Sequence, residues 1–190
     1  MFSLLILAFN EQKNIKDTIL SYKNDFSEII IVNDCSTDDT KEIIENIKLE
    51  NNQIKLINNE KNLGAGKSFQ IGVEHFKNTD SSYLIKIDGD GQFQKKDILK
   101  IKSIVENDIK FDLIKCDRFW ANGIVGNIPT VRYVGNIFAS ILIKFSTGFK
   151  KINDPLNGLI MISKELANNV EVPKLFYRYG YPFYVITLAA

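Results

Sequence analysis

The chain has 190 residues, enough for one domain with a sizeable core, and its 45% hydrophobic and 25% charged residues are ordinary for a globular protein. Its 24 Lys and Arg nearly cancel its 23 Asp and Glu, so no global field favours nucleic acid or an anionic membrane, and any anion site must be built locally. Cys35 and Cys116 form no CxxC pair, and the one histidine, His75, falls in a helical stretch; a disulfide framework, a zinc centre and a histidine-based triad are all disfavoured.

Taken in chain order, MFSLLILAFNE has no basic leader and no cleavage site, so it reads as a strand and not a signal peptide. FSLLILAF and EIIIV are the continuous apolar runs that parallel strands need when both faces are covered, and IKLIN, YLIKI, FDLIK and LIMIS are weaker strands. Helical stripes lie between them: Ile15, Ile19 and Tyr22; Ile43, Ile44 and Ile47; Ile98, Ile101 and Val105. The longest is Val131, Val134, Phe138, Ile141, Leu142 and Phe145. Ser36 with Asp39 resembles a capping box for the second helix. No apolar run reaches the length of a membrane span, since NIFASILIKF is short and broken by Lys144. The alternation predicts right-handed crossovers and a mostly parallel sheet with helices on both faces, in one α/β domain.

In such sheets ligands bind beyond the carboxyl ends of the strands. At those positions stand NEQKN, NDCSTDD, DGDGQF and DRFW, so acidic and amide groups gather at one edge. Two look-alikes fail. LGAGKSF suggests a phosphate-binding P-loop, but Lys61 occupies the place of its first glycine; Gly64 and Gly66 read instead as a close helix start against the sheet, and Gly72 as a packing site. DGDGQFQKKDIL suggests a calcium loop, but Phe93 and Leu99 stand where that loop needs glycine and glutamate.

Asp88 and Asp90 remain. Taken alone, such a pair reads as a solvated turn. At the end of a buried strand and flanked by glycines, both carboxylates can approach one hard cation, and nothing blocks a bulky phosphate. Magnesium or manganese there suits a diphosphate leaving group.

LILAFNEQKNI, IIIVNDCSTDDT, NLGAGKSFQIG, YLIKIDGDGQF and NDPLNGLIMIS resemble, in order and spacing, the blocks of family 2 glycosyltransferases with the GT-A fold, over roughly residues 3–163. DGDGQ is most similar to the polyprenyl-phosphate branch that includes dolichyl-phosphate mannose synthase. The resemblance implies a GT-A-type, Rossmann-like three-layer sandwich with a mostly parallel central sheet. It implies an inverting, metal-dependent hexosyl transfer, with Mg2+ or Mn2+, from a UDP- or GDP-sugar to an acceptor such as a polyprenyl phosphate. By position, Asn10, Glu11, Asn33 and Asp34 match the nucleotide pocket, with Asp34 toward the base and Asn33 able to reach the ribose. Asp88 and Asp90 match the D-x-D pair, Asp88 facing substrate as well as metal, and Gln92 matches a further metal ligand. Arg118 and Arg132 match phosphate-contacting arginines. Asp154 matches the base position, serving a sugar-hydroxyl acceptor directly and a lipid phosphate, which is already ionised, by positioning.

The chain departs from the family at Cys35, where glycine is usual, at Asn33, where a second aspartate is usual, and at Asn157, where serine is frequent. Other roles stay open on the residues alone: Asp34 as a helix cap, Asp154 as a turn residue, Arg118 as a stacked structural arginine, and Trp120 as core or as a lid over the sugar. The aromatic run from Phe176 to Tyr184 suits either a core edge or a surface for further sequence. By the resemblance, residues 1–190 form a single catalytic domain truncated at its C-terminus. The protein is then cytoplasmic, reaching the cytoplasmic face of a membrane only through sequence beyond this chain. The rival readings are a nucleotide-sugar-binding module without transfer activity, a sugar-1-phosphate nucleotidyltransferase and a phosphoacceptor receiver domain. The retained pair Asp88 and Asp90 argues against the first, and AFNEQKN against the other two.

Overall fold

The computed structural model describes residues 1–106, 110–116, 130–149, 153–178 and 180–190. Among these, β1 (Phe2–Ala8), β2 (Glu28–Asn33), β3 (Ile54–Asn58), β4 (Tyr83–Asp88), β5 (Leu113–Lys115) and β6 (Ile160–Ser163) form one sheet in the order β3-β2-β1-β4-β6-β5. All six coincide with the apolar runs read from the sequence. β1 through β4 pair in parallel, whereas β6 is antiparallel to both β4 and β5. That reversal matters for the site. The segment that precedes β6 arrives at the same sheet edge as the segment that follows β4.

The helices are α1 (Ile15–Tyr22), α2 (Thr40–Leu49), α3 (Ala65–Lys77), α4 (Lys95–Glu106), α5 (Thr130–Thr147), α6 (Lys164–Asn168) and α7 (Tyr181–Leu188), with a 3-10 turn at Lys174–Phe176. Side chains alternate across a strand, and here both faces are apolar. Leu4 and Ile6 of β1, with Ile29 and Ile31 of β2, meet Ile15, Ile19, Ile44, Ile98 and Ile101 on one side. Leu5, Leu7, Ile30 and Val32 meet Phe69, Val73, Phe76, Leu166 and Val185 on the other. The result is a three-layer sandwich, and it explains why β1 reads as an unbroken apolar run.

Gly72 of α3 packs as expected, since a Cβ there would lie 2.4 Å from a Leu5 methyl. Gly64 and Gly66 do not press on the sheet. They face the 3-10 turn, where the Tyr177 carbonyl accepts from the amides of Gly66 (2.6 Å) and Lys67 (3.1 Å). A peptide oxygen therefore fills the place a P-loop reserves for phosphate, which completes the rejection of that motif. The aromatic run is a core edge: Tyr181 is buried and stacks on Phe69 at 4.9 Å, and Phe176 stacks on Tyr184.

α5 forms where its stripe predicts, and the described part of that stripe faces out. Ala139 and Ile143 are buried and the helix packs on α7, while Ile137, Phe138, Ile141, Leu142 and Phe145 (95% exposed) face solvent. Among the described residues no helix is long and apolar enough to cross a membrane.

Candidate functional site

The loops after β1 and β2 are sewn together. Asn10 adopts a left-handed backbone (φ 57°), its amide donates to Ser36 Oγ (3.0 Å) and its Oδ1 accepts from the Thr37 amide (2.8 Å). The Glu11 amide donates to Thr40 Oγ1 at 2.7 Å, and its carboxylate accepts from Asn14. Asp38 binds the Gln12 amide together with the amide and hydroxyl of Thr40. Burial would raise the Asp38 pKa, but those donors outweigh it and hold the carboxyl below its usual range. The capping-box expectation is corrected here. α2 starts after Asp39, which makes no side-chain cap bond, and Ser36 instead serves Asn10 and Asn33.

Asn33 and Asp34 end β2 and are buried. Asn33 donates to Asn58 Oδ1 (2.9 Å) and accepts from Ser36 Oγ (2.5 Å), so its amide builds the loop framework. Asp34 is no helix cap. Its carboxylate accepts from Asn59 Nδ2 (2.7 Å) and from the amides of Leu63 and Gly64 (both 2.8 Å), fixing residues 59–64 as a wall beside the strand edge. A carboxylate has about four acceptor positions, which leaves Asp34 room for one more donor.

Cys35 has φ 60°, the left-handed region, which explains why a glycine is at home there. Cys35→Gly is expected to gain about 0.5–1 kcal/mol in urea unfolding, the relief of strain less the chain entropy of glycine. A loss would mean that the Sγ contact to the Glu60 carbonyl (3.6 Å) outweighs the strain.

At the end of β4, Asp88 and Asp90 border a cleft of about 250 Å3 lined also by Thr18, Tyr22, Gly91 and Phe93. Gly91 takes φ 71°, and the turn closes as the Gln92 amide donates to Asp90 Oδ1 (3.0 Å). Partial burial, reinforced by the Asp88 charge, pushes the Asp90 pKa up against the pull of that amide. The calcium-loop reading fails structurally too, because a strand and not a helix leads into the turn.

Lys86 lies two residues back on the same face of β4. It is 1% exposed, and its ammonium donates to Asp88 Oδ1 at 2.6 Å. Burial alone would favour the neutral amine, but Asp88 outweighs it, so the lysine stays charged with its pKa above the ordinary value. From the other side, the turn before β6 reaches the same carboxylate. A Cβ on Gly158 would lie 2.3 Å from Asp88 Oδ2, and Asn157 anchors the turn through the Leu159 amide (2.9 Å) and Lys115. Asp154, in that turn, is 1% exposed.

The structure thus brings Asp88, Asp90, Gly158 and Lys86 together at one edge, with Asn10, Glu11, Asn33 and Asp34 along the neighbouring strand ends. Arg118, Trp120 and the side chain of Arg132 lie outside the described residues. Among the described residues no three His, Cys, Asp or Glu side chains form a cage for a metal. Two carboxylates with an amide neighbour still suit Mg2+ or Mn2+, which commonly bind through one or two carboxylates plus substrate phosphate. His75, by contrast, pairs with Glu28 (3.2 Å).

Sequence reasoning missed Lys86 and Gly158. Spacing by two on a strand could have paired Lys86 with Asp88; no local signal placed Gly158 there.

Residues 3–167 match the family model described as glycosyl transferase family 2. The chain belongs to that family. It is 30% identical over 174 residues to the UDP-N-acetylglucosamine–dolichyl-phosphate N-acetylglucosaminyltransferase of Methanococcus voltae, spanning 85% of this chain and 68% of that relative. A dolichyl-phosphate beta-glucosyltransferase (ALG5C) of Trichomonas vaginalis is 34% identical over 100 residues, 47% of this chain and 29% of that protein. Among solved structures, the family 2 chain resembles S. aureus TarS 1-349 in complex with UDP, at TM-score 0.65 and 20% identity, covering 97% of this chain and 53% of that one. It also resembles the mannosyltransferase PcManGT of Pyrobaculum calidifontis, solved with GDP-Man and Mn2+, at TM-score 0.61 and 16% identity, covering 91% and 47%. These structural neighbours establish the GT-A fold. This glycosyltransferase chain spans about half the length of both solved structures.

Proposed function

We propose that residues 1–190 form one catalytic domain that moves a sugar, with inversion, from a nucleotide diphosphate to a polyprenyl phosphate. The observation that carries the donor side is the pair Asp88 and Asp90 bordering the cleft, with Gly158 packed against Asp88. Asp88, Asp90 and Gln92 would hold Mg2+ or Mn2+, which when bound supplies charge neutralisation for the departing diphosphate. Asn10, Glu11 and Asn33 shape the nucleotide pocket, and Asp34 fixes its wall and keeps one acceptor position for the base. Arg118 and Arg132 are proposed to grip the phosphates.

The acceptor reading rests on two supports. The two relatives above act, by name, on dolichyl phosphate, and α5 offers an exposed apolar face suited to a lipid chain. A lipid phosphate attacks as an anion and needs no strong base. Asp154, buried as it is, then serves to position the turn that abuts Asp88.

Calorimetric titration with UDP and GDP, each with and without Mn2+, tests the donor side. Tighter binding of one nucleotide with metal is expected, followed by transfer of its sugar to a short polyprenyl phosphate. A folded protein that binds neither nucleotide under any condition overturns the reading. Binding without transfer leaves a nucleotide-sugar-binding module.

A further inference from the structure

A lysine whose side chain is almost wholly buried stands out at the floor of the donor site. On its strand Lys86 follows Leu84 onto the face covered by α3 and α7, where an apolar residue would be at home. Its ammonium lies 5.4 Å from the centre of the Tyr181 ring. The Tyr181 hydroxyl, buried in the same region, feels that charge. Among the described residues the carboxylate that the ammonium bonds is Asp88. Asp88 is therefore held from two sides: Oδ1 by the ammonium and Oδ2 against Gly158.

From this geometry we infer that Lys86 is the resident counter-cation of the donor site, paired with Asp88 and supplying part of the positive charge that a nucleotide diphosphate needs. The inference rests on the donor-site reading above. A buried charge-assisted pair is rigid and little screened, and Lys86 cannot leave without stranding Asp88. With the pair formed, the two aspartates present a smaller negative charge to an arriving diphosphate. Part of the donor affinity should therefore persist without metal. The same fixed charge opposes a divalent cation at Asp88, so the gain from adding metal is limited.

The test compares nucleotide affinity with and without Mn2+ in Lys86→Met, which keeps the length and apolar stem, and in Lys86→Gln, which keeps a donor for Asp88 without the charge. The probe is UDP or GDP, whichever the parent binds, measured by calorimetry, with thermal unfolding as the check on folding. In either variant, metal-free affinity should fall about 10-fold or more while Mn2+-supported affinity falls much less, so the metal-dependence ratio rises by about 10-fold. A lysine that only fills space would shift both affinities together. An unchanged ratio in a folded variant overturns the inference, as does a parent with no measurable metal-free binding. A parent that binds neither nucleotide even with Mn2+ overturns the donor-site reading itself, a different result from an unchanged ratio. If Lys86→Met does not fold, Lys86→Gln decides, because it leaves Asp88 a hydrogen-bond partner.

Discussion

Asp90→Ala is expected to lose metal-dependent nucleotide binding and to slow transfer by about 10²–10³-fold, the usual cost of removing one preorganised electrostatic contact to a transition state. Its stability should not fall. Asp90 is partly buried beside a second carboxylate, and its pKa is raised in the folded protein. A raised carboxyl pKa means that the folded state disfavours the ionised form. The charged group therefore costs stability at neutral pH, and that cost is relieved as pH drops through the folded pKa. Alanine removes the cost at every pH. The one hydrogen bond lost, from the Gln92 amide, lies at an exposed turn where water replaces it. Thermal unfolding at neutral pH should give a Tm equal to or above that of the parent, and the advantage should shrink in acid. A variant with a marked fall in Tm would show that Asp90 holds the turn together, and its loss of binding would then say nothing about metal.

The contrast with the Lys86 variants is useful because the two sites predict opposite metal behaviour. Without Asp90 the metal-supported part of binding disappears. Without Lys86 the metal-free part disappears. A site that worked only by shape would show neither pattern.

The sequence made the strands legible because both faces of the sheet are covered, so β1 and β2 need no polar alternation and stand out as apolar runs. It made the pair Asp88 and Asp90 stand out because glycines flank two aspartates just where a strand ends. It could not show that β6 runs antiparallel to β4, since strand direction is set by long-range pairing and not by composition. The resemblance had put Asp154 at the site, but the close approach of Gly158 to Asp88 emerged only in three dimensions. The α5 stripe marks a related limit. Periodicity shows that a helix has an apolar face, but not what covers it. The structure covers Ala139 and Ile143 and leaves Phe138 and Phe145 bare. Asp34 illustrates a third limit: a polar residue at a strand end fits a cap, a base contact or a loop anchor alike, and only the positions of the Leu63 and Gly64 amides decide for the anchor.

Gly158→Ala should disable the donor site while the protein still folds. The added Cβ would fall 2.3 Å from Asp88 Oδ2 and 3.2 Å from Lys86 Nζ, both closer than side-chain atoms tolerate without movement. A long flexible neighbour would swing away cheaply. Asp88 is short and tethered at its other oxygen, so it must break from Lys86 or push the turn outward. Either response displaces a carboxylate that has to be placed within a fraction of an ångström, and metal-supported nucleotide affinity should fall about 10²-fold. The strain should cost about 1–3 kcal/mol in urea unfolding, as overpacking usually does, and not the whole fold. Gly91→Ala is the control. It sits in the loop after β4 at φ 71°, but its nearest neighbour is Thr18 at 3.6 Å, so it should lose about 1 kcal/mol to backbone strain and keep most of its affinity. If Gly158→Ala binds nucleotide and Mn2+ as well as the control does, then Asp88 is not held between Lys86 and the turn in the working protein. The turn before β6 would then have to be removed from the donor site.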